Sequence, residues 1–136
     1  MSLVLDTSAT LAFLLDDERD AATASLYETI SINGAFVPSL WPYEVANSLS
    51  VAVKRGRIST VMRSHALMKL RSLDIVIDRA DFDEIWNATV ALADLYQLTV
   101  YDAAYLELAQ RMRAPLATLD DSLMRACKAS AVHLAI

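Results

Sequence analysis

Short apolar runs that end in or near an acid, each followed by a helix-forming stretch, constrain this chain more than any other feature. Leu3, Val4 and Leu5 are followed at once by Asp6. Ala35, Phe36 and Val37 precede Pro38, and Glu44 lies in the first turn of the helix that Pro42 opens. Residues 74–77 and 115–118 are two further strand candidates, and residues 132–136 read as a terminal strand. Helical spacing covers residues 8–15, 19–30, 42–55, 58–73, 82–96, 103–111 and 122–128, with Asn33-Gly34 and Gly56 as breaks. Strands that alternate with helices pair in parallel, because a parallel neighbour needs a crossover. Strands apolar throughout suit a sheet covered on both faces. The expected fold is α/β: a three-layer α/β/α sandwich with a short, mainly parallel sheet.

Composition narrows the class. With 136 residues, 55% of them hydrophobic, and only 2 Gly and 3 Pro, the chain is not disordered or low-complexity and reads as a single domain over 1–136. Its 1 cysteine, Cys127, forms no internal disulfide, which suits a reducing compartment. No apolar run approaches the ~20 residues of a membrane span, and the start carries no basic leader, so a cytoplasmic location is expected. The net charge of -5 argues against a nucleic-acid coat protein. It leaves room for a nuclease, whose metal-binding centre is itself acidic.

Parallel α/β sheets bind ligands beyond the carboxyl ends of their strands. Asp6, Glu44, Asp102 and Asp120 are each expected at a strand-to-helix junction, with residues 98–101 as the run before Asp102. Singly, each acid has an ordinary explanation, as an N-cap or a first-turn acid favoured by the helix dipole. Together, carboxylates on one edge repel one another unless separated, hydrated or bridged by a cation. Hard dications such as Mg²⁺ and Mn²⁺ take such oxygen ligands.

Four segments carry a resemblance: 4–9 (VLDTSA), 42–49 (PYEVANSL), 101–109 (YDAAYLELA) and 116–120 (LATLD). In this order they resemble the signature segments of PIN domains, and the whole chain is similar to VapC-type toxins of bacterial toxin–antitoxin pairs. The resemblance implies a Mg²⁺- or Mn²⁺-dependent endoribonuclease that leaves 5′-phosphate and 3′-hydroxyl ends. It also implies an RNA substrate, a cognate antitoxin and a homodimer. Position by position, Asp6, Glu44, Asp102 and Asp120 take the places of the family's acids as catalytic and metal-ligating groups. Ser8 and Thr118 take those of supporting hydroxyls, and Asn47 that of a polar residue one helical turn after Glu44. Asp120 is preferred to its neighbour Asp121 as the fourth acid from its spacing to Thr118, which leaves Asp121 as a cap. The alternative to the enzyme is a PIN-fold interaction module whose acids only cap helices.

Charge elsewhere is uneven. Between Val45 and Leu73 there is no acid, while Lys54, Arg55, Arg57, Arg63, Lys69 and Arg71 supply six of the 12 basic residues. Lys54, Arg55 and Arg57 are candidate contacts for RNA or antitoxin, set against a solvated helix end. Phe82 and Trp86 have core spacing, and Met62, Leu67, Met68 and Leu70 read as core or as a partner groove. Trp41 reads as a helix-entry staple, Tyr43 and Tyr105 as base-stacking or core groups, and Cys127 as a small buried hydrophobe. His65 and His133 fall outside every motif.

Overall fold

The computed structural model describes residues 2–15 and 17–136. Strand β1 (Leu3–Leu5) leads through α1 (Thr7–Leu14) and α2 (Ala21–Asn33) to β2 (Ala35–Pro38). Helices α3 (Trp41–Lys54) and α4 (Thr60–Arg71) lead on to β3 (Ile75–Asp78). Helix α5 (Phe82–Glu84), a π-helical segment (Ile85–Thr89), α6 (Val90–Tyr96) and α7 (Val100–Met112) connect it to β4 (Leu116–Ala117), and α8 (Asp121–Ala129) follows.

The strands are parallel in the order β3-β2-β1-β4, with Leu3 opposite Ala35, Val4 opposite Leu116 and Pro38 opposite Asp78. The chain moves outward from β1 to β3, then crosses back to β4. Right-handed crossovers in opposite directions place their helices on opposite faces, giving three layers. Helix α7 packs against β1, β2 and β4, while α1 packs on α2 and α3. Central β1 is wholly buried, and Phe13, Ile30, Leu49, Tyr105 and Leu106 fill the core around it. Gly34 makes the tight entry to β2: its φ is 75°, and a Cβ there would meet the Asp74 carbonyl oxygen at 2.6 Å.

Several local readings change. Residues 98–101 form no strand. Gln97 ends α6 in the left-handed conformation, and Thr99 caps α7 by accepting the Asp102 amide, so only a tight helix–helix turn fits between them. The terminal segment contributes a single bridge, Leu116 with Leu134. Strand β3 is an edge strand with Val76 and Ile77 exposed, not one covered on both faces. Phe82 and Trp86 are exposed as well, in contact with each other at a ring tilt of 40° and centroids 4.9 Å apart. The wide π turn presents Thr89 and then Ala93 to the interior instead. Of the α4 quartet only Leu70 is buried; Met62, Leu67 and Met68 are exposed. Among the described residues no helix is long and apolar enough to cross a membrane.

Candidate active site

The first acid is fixed by the shortest local logic. Asp6 ends β1 in extended conformation and caps α1, its Oδ1 accepting the Ala9 amide at 2.9 Å. Ser8 then reaches back to both carboxylate oxygens, at 2.7 and 2.9 Å. Thr118, just past β4, donates its hydroxyl hydrogen to Oδ2. The same two hydroxyls accept backbone hydrogens from the following loop: Ser8 from Leu119 at 2.9 Å, and Thr118 from Asp120 at 3.1 Å. The β4–α8 loop is thereby stitched to the Asp6 carboxylate. Asp120 caps α8 through Oδ2, which accepts the Leu123 amide at 2.9 Å, and Asp121 is the exposed residue after it.

Glu44 comes from the other side of β1. It sits in the first turn of α3, and its Oε1 accepts from Tyr105 at 2.5 Å and from Thr7 at 3.1 Å. Tyr105 is buried in α7, three residues after Asp102, on the same side of that helix. The entry to α3 is anchored too. The Trp41 indole donates to Thr10 Oγ1 at 3.0 Å, and Thr10 donates to the Asp6 carbonyl at 2.6 Å. Thr7, Thr10, Trp41 and Tyr105 are thus residues of the site's framework, and the sequence reading gave none of them this role. The available signal was their spacing: each lies within four residues of an acid.

Electrostatics ties the four acids into one cluster. Burial, and then the charges of Asp120, Glu44 and Asp6, push the Asp102 carboxyl above its ordinary range, against a hydrogen bond from Thr99. Asp6 is also raised. Burial is the main cause and Asp120 adds to it, against the hydrogen bonds from Ala9, Thr118 and Ser8. Tyr105 is held firmly protonated by burial and by its bond to Glu44, which makes it a donor to that carboxylate. Cys127 is buried, its thiol pushed up to about 11 by burial and then by Asp6, so it is inert packing.

The side chains as they stand are neighbours rather than a closed cage. Among the described residues no three Asp, Glu, His or Cys groups converge tightly enough to enclose an ion. The donors gathered are carboxylates and hydroxyls, and Mg²⁺ typically uses one or two carboxylates and fills its remaining positions with water and phosphate oxygen. The oxygen chemistry of the cluster therefore suits a hard dication held partly through water.

Other expected site residues lie apart. Asn47 is exposed on α3, one turn past Glu44. Lys54 and Arg55 are at the opposite end of that helix, ten residues and roughly 15 Å from Glu44 at about 1.5 Å per residue. Arg57 is engaged by Asp17 at 2.9 Å and by Glu18 at 2.8 Å, across the α1–α2 connection. Tyr43, beside Glu44, is largely exposed, and His65 and His133 are exposed away from the acids.

Known proteins resemble this chain in sequence and fold. The profile of the PIN domain matches residues 3–129. Ribonuclease VapC3 of Pyrobaculum aerophilum is 32% identical over 127 residues, 90% of this chain and 92% of that protein. Ribonuclease VapC9 of Mycobacterium tuberculosis is 30% identical over 122 residues, 87% of this chain and 85% of its own. Among solved structures, PAE2754 from Pyrobaculum aerophilum superposes with a TM-score of 0.71 at 24% identity, over 93% of this chain and 79% of that one. A chain of a toxin-antitoxin complex from Klebsiella pneumoniae gives 0.58 at 21% identity, over 88% of this chain and 87% of its own, a likeness of fold. With all four acid-bearing segments in order on one parallel sheet edge, the chain belongs to the PIN domain family and, within it, stands with the VapC proteins.

Proposed function

We propose that this chain is a metal-dependent endoribonuclease, the toxin of a toxin–antitoxin pair. The observation that carries the reading is the coupling of Asp6, Glu44, Asp102 and Asp120 at the carboxyl edge of the sheet, in a chain whose relatives are named ribonucleases. A divalent cation at these acids would acidify a water molecule and offset negative charge on the scissile phosphate. Asp6 and Asp102 are the proposed direct ligands, with Glu44 and Asp120 completing the set or orienting water. Ser8 and Thr118 hold the Asp6 carboxylate in one orientation, and Tyr105 and Thr7 do the same for Glu44. Mg²⁺ is the proposed ion, with Mn²⁺ as the alternative.

A cognate antitoxin and a homodimer belong to the same reading, as does a cytoplasmic location. The groove bounded by Trp41, Val45, Leu67, Met68 and Ile77 offers apolar surface for a protein partner. A purely non-catalytic module is the second reading, since α1 and α8 do use Asp6 and Asp120 as caps.

Incubation with total RNA, with Mg²⁺ or with chelator, followed by mapping of the cut ends, separates the two readings. Metal-dependent cuts lost in Asp6→Asn and Asp102→Asn support the enzyme. Cutting that persists in chelator, or in those variants, overturns the metal mechanism.

A further inference from the structure

Beside the acids, on the same edge of the sheet, lies a cavity of about 220 Å³. Its lining includes Leu40, Ile85, Val100 and Tyr101, together with the acidic residues Asp78 and Glu107. Two of its boundaries adjoin the segments that carry the acids, and a third ends a neighbouring strand. Leu40 directly precedes α3, which bears Glu44, Tyr101 precedes Asp102, and Pro38 ends the strand next to β1. Neighbouring strands lie about 4.8 Å apart, so the ends of β2 and β3 are roughly 5–10 Å from the end of β1, about one nucleotide's reach.

The lining chemistry is specific. Glu107 is 8% exposed, and Arg111 binds it through Nε at 2.8 Å and a terminal nitrogen at 3.1 Å while binding Asp78 through its terminal nitrogens at 2.7 and 3.1 Å. Arg111 fixes both carboxylates in place without exhausting their acceptor capacity. Two carboxylates repel a phosphate, yet accept hydrogen bonds from the amino edge of a base. Tyr101, 65% exposed at the rim, offers a ring for stacking, and the walls are otherwise largely apolar. The π-helical segment shapes one wall through Ile85 and Thr89, and such segments are frequent at functional sites.

We infer that this cavity is a nucleobase subsite for the nucleotide next to the scissile bond, selecting a base with an exocyclic amino group over uracil. The inference rests on the ribonuclease reading for its biological meaning, but not for its test. Asp78 and Glu107 receive the amino hydrogens, Tyr101 stacks on the base, and Arg111 acts as a positioning residue. Uracil directs carbonyl oxygens at the same carboxylates and is disfavoured.

Free nucleosides test the subsite without phosphate or metal. Adenosine, cytidine, guanosine and uridine are titrated into the ¹⁵N-labelled chain, and amide shifts are followed. Shifts at Ile85, Tyr101 and Ala104, with at least one amino-bearing nucleoside binding fivefold or more tighter than uridine, are expected. Ala104→Leu fills the cavity with hydrocarbon and should remove these shifts. Tyr101→Ala, at an exposed position, should weaken binding severalfold in a folded protein, and Glu107→Gln should erase the preference over uridine. Equal binding of uridine, shifts centred elsewhere, absence of binding, or a preference that survives both Tyr101→Ala and Glu107→Gln overturns the subsite. A subsite that fails while RNA is still cut leaves the nuclease reading standing. Nucleoside selectivity in a chain that cuts no RNA does the reverse.

Discussion

Tyr105 donates its phenolic hydrogen to Glu44 at 2.5 Å, joining the helix that carries Asp102 to the helix that carries Glu44. The contact spans 61 residues of sequence and sits behind the cluster, so it sets the position of Glu44 rather than meeting substrate. Tyr105→Phe keeps the ring in the core and removes only the donor. RNA cleavage should fall by about 10–100-fold, the range for groups that orient ligands. Initial rates under saturating metal measure this, and an unchanged rate would mean Glu44 needs no such support.

Asp6→Asn and Asp102→Asn should each reduce cleavage by more than the ~100-fold that orienting groups command. Both should keep the native circular-dichroism spectrum. Asp6→Ala should behave differently, because it also deletes the cap of α1, at about 1 kcal/mol. Parallel denaturant melts and cleavage assays distinguish a lost ligand from a loosened helix.

Asp102 makes a pH prediction whose sign is fixed. Burial and three neighbouring acids raise its carboxyl above the ordinary range, so ionising it in the folded chain costs more than in the unfolded one. That cost is absent below the unfolded pKa, grows between the unfolded and the folded values, and is full above the folded one. In chelator, Asp102→Asn should therefore be more stable than wild type at neutral pH, with the advantage vanishing in acid. Added Mn²⁺ should reverse the order, since only the wild type gains fully by binding it. Thermal melts across pH, with and without the metal, would falsify this if the variant melted lower throughout.

Trp41→Phe removes the indole donor to Thr10 while keeping an aromatic ring in the core. A loss of about 1 kcal/mol is expected from the missing hydrogen bond. Activity should fall as well, because the bond links the start of α3 to the turn that holds Asp6. Combining it with Thr10→Val should cost less than the sum of the two, as for contacting residues.

The sheet was legible because β1 and β2 are apolar runs bounded by Asp6 and Pro38, which leave few other conformations. The placement of Asp6 and Asp120 was legible for a related reason: an acid that follows a strand and opens a helix sits at the carboxyl edge, whereas Asp102 follows a helix–helix turn. Residues 98–101 misled because Leu, Thr, Val and Tyr suit a strand, whereas Thr99 as a cap decides for helix. Periodicity placed Phe82 and Trp86 on one face without saying which way that face points, and the π turn settles it outward. Trp41 was read as a helix-entry staple and Tyr105 as a base-stacking or core group, since a sequence does not reveal where an indole or a phenol finds its acceptor. Arg57 was read with the basic run around it, but its partners Asp17 and Glu18 lie about forty positions earlier.

Asp6 and Asp120 each spend a carboxylate oxygen on starting a helix, while Glu44 and Asp102 do not. Genetic escape from the activity should therefore be lopsided. Lesions at Glu44 or Asp102 would yield inert but abundant protein. Non-conservative lesions at Asp6 or Asp120 would also expose the chain to proteolysis, so a screen for silent but full-length survivors should recover the first pair far more often.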